Sequence, residues 1–100
     1  MFFKRTKIQP EGVRKHILFY GRVQGVGFRF YAVQKARQLG LTGWVKNLMD
    51  GNVEMEVQGP QEKIDQLIQY LSRQRYIQIT GMECKNLPLQ EERSFCERGY

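Results

Sequence analysis

The stretch Lys15-His-Ile-Leu-Phe-Tyr-Gly-Arg-Val-Gln-Gly-Val-Gly-Phe-Arg-Phe-Tyr-Ala-Val-Gln-Lys-Ala-Arg-Gln-Leu-Gly40 decides the fold. Its first six residues, Lys15 to Tyr20, end in an apolar and aromatic run and read as a β-strand. Gly21, Gly25 and Gly27 then crowd into seven positions, and from Phe28 the pattern changes period. Phe28, Ala32, Ala36 and Leu39 recur at helical spacing, and Gly40 stands where a left-handed C-terminal cap belongs. A strand thus feeds through a glycine loop into a helix over Phe28 to Leu39.

The elements that follow complete a recognisable order. Thr42 to Asn47 and Asn52 to Gln58 are short β-prone runs joined by a turn with Asp50-Gly51. In the second run Val53, Met55 and Val57 share one face, and Glu54, Glu56 and Gln58 the other. Gly59-Pro60 breaks the strand and starts a helix over Gln61 to Ser72, with an apolar stripe at Ile64, Leu67, Ile68 and Leu71. Tyr76 to Cys84 reads as a fourth strand and Phe95 to Tyr100 as a short fifth. The order strand-helix-strand-strand-helix-strand is that of the α+β, ferredoxin-like split βαβ sandwich, which predicts an antiparallel sheet with both helices on one face.

One hundred residues hold one domain with one core, large enough to fold without disulfide staples. The expected division is a mobile basic leader over 1–13 and a single domain over 14–100. Residues 1–15 carry Lys4, Arg5, Lys7, Arg14 and Lys15 against Glu11, so most of the net charge of +6 reads as a solvated tail. Cys84 and Cys96 are too far apart for a C-x-x-C knuckle and read as small, partly buried apolar residues in a reducing cytoplasm. With no long apolar run and no secretory signal, the expectation is a protein with no membrane partner. One histidine and no clustered acids supply few parts for a metal site or a nucleophile-base pair. His16 lies early in the first strand, away from the glycine loop, and reads as structural.

The chemistry concentrates at the loop Gly21 to Arg29. Its glycines let successive amides converge, and the start of the helix adds unpaired N–H donors and the positive end of a dipole, together a cradle for an anion of phosphate size. A guanidinium at Arg29, in the first helical turn, is unfavourable there by about 0.3–1 kcal/mol unless an anion sits nearby. It points into water, pairs with a distant carboxylate, or meets an anion in the loop, and the glycines favour the third. The loop lacks a Walker A ending, and Phe30 replaces the third glycine of G-x-G-x-x-G, so neither ATP nor a dinucleotide is indicated. Asn47, at a strand end, is either a turn residue or an amide brought beside the cradle. Lys46 and Arg22 flank these positions.

The stretches Gly21-Arg-Val-Gln-Gly-Val-Gly-Phe-Arg29 and Gly43-Trp-Val-Lys-Asn47, followed by Gly51, Val53 and Gly59, resemble the two signature motifs of the acylphosphatase family, with the family's internal spacing. The resemblance implies hydrolysis of the carboxyl-phosphate bond of acyl phosphates without metal or organic cofactor. It implies that Arg29 binds the phosphoryl group together with the backbone of Gln24, Gly25, Val26, Gly27, Phe28 and Arg29, and that Asn47 positions the attacking water. Inorganic phosphate is then the product and a competitive inhibitor, with no nucleic-acid partner, and a monomer is expected. The inventory suits this chemistry: a carboxylate leaves without protonation, and a loose phosphoryl-transfer transition state asks mainly for charge and alignment.

Two other readings fit the element order. A non-catalytic phosphate-binding or regulatory domain would keep the cradle without the turnover. An RNA recognition motif would need exposed aromatics on the third strand, where Glu54 and Glu56 stand instead and would repel RNA.

Overall fold

A computed structural model describes residues 12–99. The elements are β1 (Val13–Arg22), α1 (Phe28–Gln38), β2 (Thr42–Asn47), β3 (Val53–Gly59), α2 (Gln61–Ser72), β4 (Gln78–Leu87) and β5 (Phe95–Arg98). They form one five-stranded sheet in the order β4-β1-β3-β2-β5. Of the expected leader, residues 1–11 lie outside the described residues, while Val13 already pairs with Gly59 as the first residue of β1.

Both helices pack on the face carrying Ile17 and Phe19 of β1, Val45 of β2, and Val53, Met55 and Val57 of β3, all fully buried. The α1 contribution is Phe28, Ala32 and Ala36, and that of α2 is Ile64, Leu67 and Leu71, close to the stripes that the sequence predicts. Small residues in the middle of α1 let it lie close to the sheet, while Phe28 stacks at a tilt on Phe19 with centroids 4.9 Å apart. At its C-terminus, Gly40 N–H donates to Arg37 O and Leu41 N–H to Ala36 O, the paired bonds that stop a helix and turn the chain into β2.

Strands β4, β1, β3 and β2 are mutually antiparallel, and β5 lies parallel to β2. The expected antiparallel sheet holds for the four strands of the βαββαβ order, and the short fifth strand, whose pairing the sequence left open, makes the whole sheet mixed. Its cause is topological. The descending β4 ends at one edge, and residues 88–94 cross the sheet end to the opposite edge, so β5 must ascend, as β2 does. Four strand spacings amount to about 19 Å, within the roughly 23–25 Å that seven extended residues can span. The fourth strand also sits later than expected, at Gln78–Leu87 rather than Tyr76–Cys84, because its register against β1 runs on to the Arg14–Leu87 pair.

The crossing segment is fastened by Arg14, on the face opposite the helices. Arg14 is 1% exposed. Its Nε and Nη2 donate to Glu56 Oε1 at 3.0 and 2.9 Å, and its Nη1 donates to Gln58 Oε1 at 3.2 Å and Glu92 Oε1 at 2.7 Å. Gln58 adds two bonds to the backbone of Gln90, at 2.8 and 2.9 Å. Burial works against the Arg14 charge, but the carboxylates of Glu92 and Glu56 outweigh it, so its pKa stands above the ordinary value. A residue counted by sequence among the charges of a tail is therefore a buried clasp. On the same face His16 Nε2 lies 2.7 Å from Glu54 Oε2, a partner invisible until register is known, and Arg98 stacks over Trp44 at 4.3 Å.

Candidate active site

Three segments meet at the end of the sheet where β1 and β2 finish. The loop from Val23 to Gly27 leaves β1, β2 ends at Asn47, and β5 brings Glu97. Val23, Gly25, Gly27, Phe28, Arg29, Phe30, Asn47 and Glu97 line a cleft of about 270 Å³.

The loop takes its shape from Gly25 and Gly27, at φ 73° and 86°, in the left-handed region that other L-residues enter at a cost. Gly27 is the N-cap of α1, with no side-chain cap and no acidic residue in the first turn. Tyr31 N–H donates to Gly27 O at 3.0 Å, whereas the amides from Gly25 to Phe30 donate to no other group among the described residues. An uncapped helix start thus opens beside Arg29. An alanine Cβ at Gly27 would stand 3.0 Å from the Tyr31 ring, while at Gly25 it would meet open space. Gly27→Ala is expected to lower stability by about 1–2 kcal/mol and Gly25→Ala by about 1 kcal/mol. Denaturant titration reads both, and a Gly27→Ala midpoint equal to wild type would mean that the loop does not hold this conformation.

Asn47 is 8% exposed, and its Oδ1 is buried with no hydrogen-bond partner among the described residues. The turn after it is closed without its side chain: Leu48 N–H donates to Asn52 O, Gly51 N–H to Leu48 O, and Asn52 N–H to Asp50 Oδ1. The turn therefore makes no use of the Asn47 side chain, which lines the cleft instead. A buried acceptor left unmade costs about 1–3 kcal/mol, so Oδ1 is an unmet demand for a donor.

Arg29 is one-third exposed, and its Nη1 lies 3.5 Å from Glu97 Oε2. The sequence-level alternative of a distant carboxylate is therefore present, in the same cleft as the amides. Of the loop positions singled out by sequence, Gly25, Gly27, Phe28 and Arg29 line the cleft with Asn47, and Gln24 and Val26 do not. Gln24 Nε2 instead donates to Leu48 O at 2.6 Å and Asn52 O at 2.8 Å, tying the loop to the turn beyond Asn47. Val26 packs against the core. Lys46 and Arg22 are not in the lining, and the register places Lys46 opposite Glu54 on the helix-free face.

The sequence reading did not single out Phe30 or Glu97. Phe30, 63% exposed, follows from the helical period, since a buried Phe28 turns position 30 outward. Glu97 needed the pairing of β5: opposite Val45, two residues after the buried Phe95, it shares the helix side of the sheet. Cys84 and Cys96, expected to be partly buried, are both exposed, because Cys84 lies on the outer strand β4 and Cys96 pairs with Trp44 on the helix-free face. Among the described residues, no helix is long and apolar enough to cross a membrane.

The acylphosphatase family model matches residues 15–96. An acylphosphatase of Bifidobacterium longum is 42% identical over 81 residues, covering 80% of this chain and 84% of the relative. One of Bordetella parapertussis is 43% identical over 86 residues, covering 85% and 84%. The crystal structure of acylphosphatase from Bacillus subtilis superposes with a TM-score of 0.80 at 30% identity, covering 86% of this chain and 98% of that one.

Proposed function

The chain belongs to the acylphosphatase family and hydrolyses acyl phosphates, and we propose that it does so with Arg29, the amides of the glycine loop and Asn47 as its whole machinery. The observation that carries this reading is the buried Oδ1 of Asn47, in one cleft with Arg29 and a run of loop amides, all without a hydrogen-bond partner among the described residues apart from the Glu97 contact of Arg29. Three kinds of group thus converge: a cation, a nest of donors, and an acceptor for water.

In this mechanism the phosphoryl oxygens sit in the loop amides and on the Arg29 fork, which match them in charge and geometry. Asn47 Oδ1 accepts a hydrogen bond from a water and turns its lone pair toward phosphorus. The water O–P bond forms as the carboxyl O–P bond breaks, and one water proton passes to a phosphoryl oxygen. An acyl phosphate dianion and water give a carboxylate and dihydrogen phosphate. The leaving carboxylate is stable unprotonated near neutral pH, so the site needs no general acid. Charge and alignment remain to be supplied, and the loop and Arg29 supply them. The acyl end leaves through the open side of the cleft past the exposed Phe30 ring, which favours loose acyl specificity.

Turnover in this reading needs no metal ion, inorganic phosphate inhibits by competing for the loop, and the protein works as a cytoplasmic monomer. Benzoyl phosphate hydrolysis in EDTA tests the assignment. Asn47→Ala is expected to lower kcat about 10²-fold with a smaller change in KM, since water alignment is lost and phosphoryl binding kept. Unchanged kcat would remove Asn47 from the site, and loss of wild-type turnover in EDTA would remove the metal-free mechanism.

A further inference from the structure

Among the described residues, Glu97 is the one acidic side chain in the lining of the cleft. Its contact with Arg29 is a single one at 3.5 Å, between a guanidinium one-third exposed and a carboxylate 55% exposed. The Arg14 clasp, with contacts of 2.7 and 2.9 Å on a fully buried guanidinium, shows what a structural ion pair looks like in this protein. An exposed, one-point pair contributes little to a fold. Yet strand pairing holds Glu97 in place: Phe95, two residues before, is fully buried, and Glu97 stands opposite Val45 on the helix side. A carboxylate is thus delivered to the guanidinium of an anion-binding cleft without serving stability.

We propose that Glu97 is an internal competitor for Arg29: in the empty cleft its carboxylate occupies the cation that the phosphoryl group takes over, and it thereby sets the affinity of the site for phosphate. The inference rests on Arg29 being the phosphoryl ligand. Binding of substrate exchanges one anion for another on the same guanidinium. A phosphoryl dianion wins because it also collects the loop amides, which Glu97, anchored in β5, does not reach. The displaced carboxylate stays at the cleft wall as a like charge, and after hydrolysis it returns to Arg29 and helps to expel inorganic phosphate.

Titration of inorganic phosphate, followed by the backbone amide resonances of residues 24–30, tests this in wild type, Glu97→Gln and Arg29→Ala. Glu97→Gln removes the charge at nearly constant shape, and the Kd for phosphate is expected to fall about fivefold at low ionic strength, the effect of like charges ~5 Å apart in a nearly aqueous dielectric. In about 0.5 M salt the advantage shrinks below about twofold, because screening reaches across the cleft, which a purely structural role of Glu97 would not produce. With benzoyl phosphate, kcat/KM is expected to rise by a similar factor. A Kd that rises in Glu97→Gln, or a kcat/KM that falls, would make Glu97 a support for Arg29 and overturn the competition. A Kd unchanged in Glu97→Gln but weakened in Arg29→Ala would overturn it too, leaving Arg29 as ligand. A Kd unchanged in Arg29→Ala would instead sink the ligand assignment on which the competition rests.

Discussion

Arg29→Ala is expected to lower kcat/KM for benzoyl phosphate by about 10³-fold or more. Removal of a single neutral donor from an oxyanion site costs about 10²- to 10³-fold, and an arginine on a transferring phosphoryl group contributes about 10³- to 10⁵-fold. In the proposed mechanism Arg29 combines both roles, since its fork binds phosphoryl oxygens in the ground state and charge spreads over those oxygens as the carboxylate departs. Both KM and kcat therefore suffer. Arg29→Lys is expected to recover little: an ammonium keeps the charge but cannot place two parallel N–H bonds on two oxygens. Because Arg29 is partly exposed and, among the described residues, carries only the weak Glu97 contact, the fold should tolerate either change, and a far-ultraviolet spectrum like that of wild type separates lost chemistry from lost structure. Activity of Arg29→Ala within tenfold of wild type would refute the assignment.

The second large effect is on stability. Arg14→Met keeps the aliphatic stem but leaves Glu56 and Glu92 facing each other across a space that excludes their counter-charge. Breaking a buried pair from one side costs about 3–5 kcal/mol. Both carboxylates are about one-fifth exposed, which argues for the lower end of that range. For a domain of this size, 3 kcal/mol corresponds to a fall in Tm of roughly 15 °C. Adding Glu56→Gln and Glu92→Gln to Arg14→Met should restore a large part of the loss if stranded charge is its cause. A single variant that melts within about 2 °C of wild type would show that the clasp does not hold the crossing segment.

These two arginines mark the boundary between what the sequence discloses and what it conceals. Patterns carried by near neighbours were legible. Pro60 with the stripe at Ile64, Leu67 and Leu71 places α2 over Gln61–Ser72, as found, and the glycine spacing before Arg29 marks the bent loop that leads into α1. Asn47 was pointed to chiefly by the paired motifs, because its local surroundings in sequence favour a turn residue. Arg14 was misjudged for a physical reason: its partners lie 42, 44 and 78 residues away, and strand register alone brings them together. Gln24 was taken for its backbone, while its side chain bridges to Leu48 and Asn52, again across the register of separate elements. Glu97 escaped notice since its orientation depends on β5 running parallel to β2.

That parallel strand also fixes which end of the molecule suits a tether. β1 rises from Val13 toward the glycine loop, and β5 rises beside β2 toward the level of Asn47. Gly99, the last described residue, therefore follows Glu97 at the rim of the cleft, and Gly12, the first described, lies at the opposite pole of the sheet. A cross-link to a surface beside Gly12 leaves the cleft facing solution, whereas one beside Gly99 turns it toward the support.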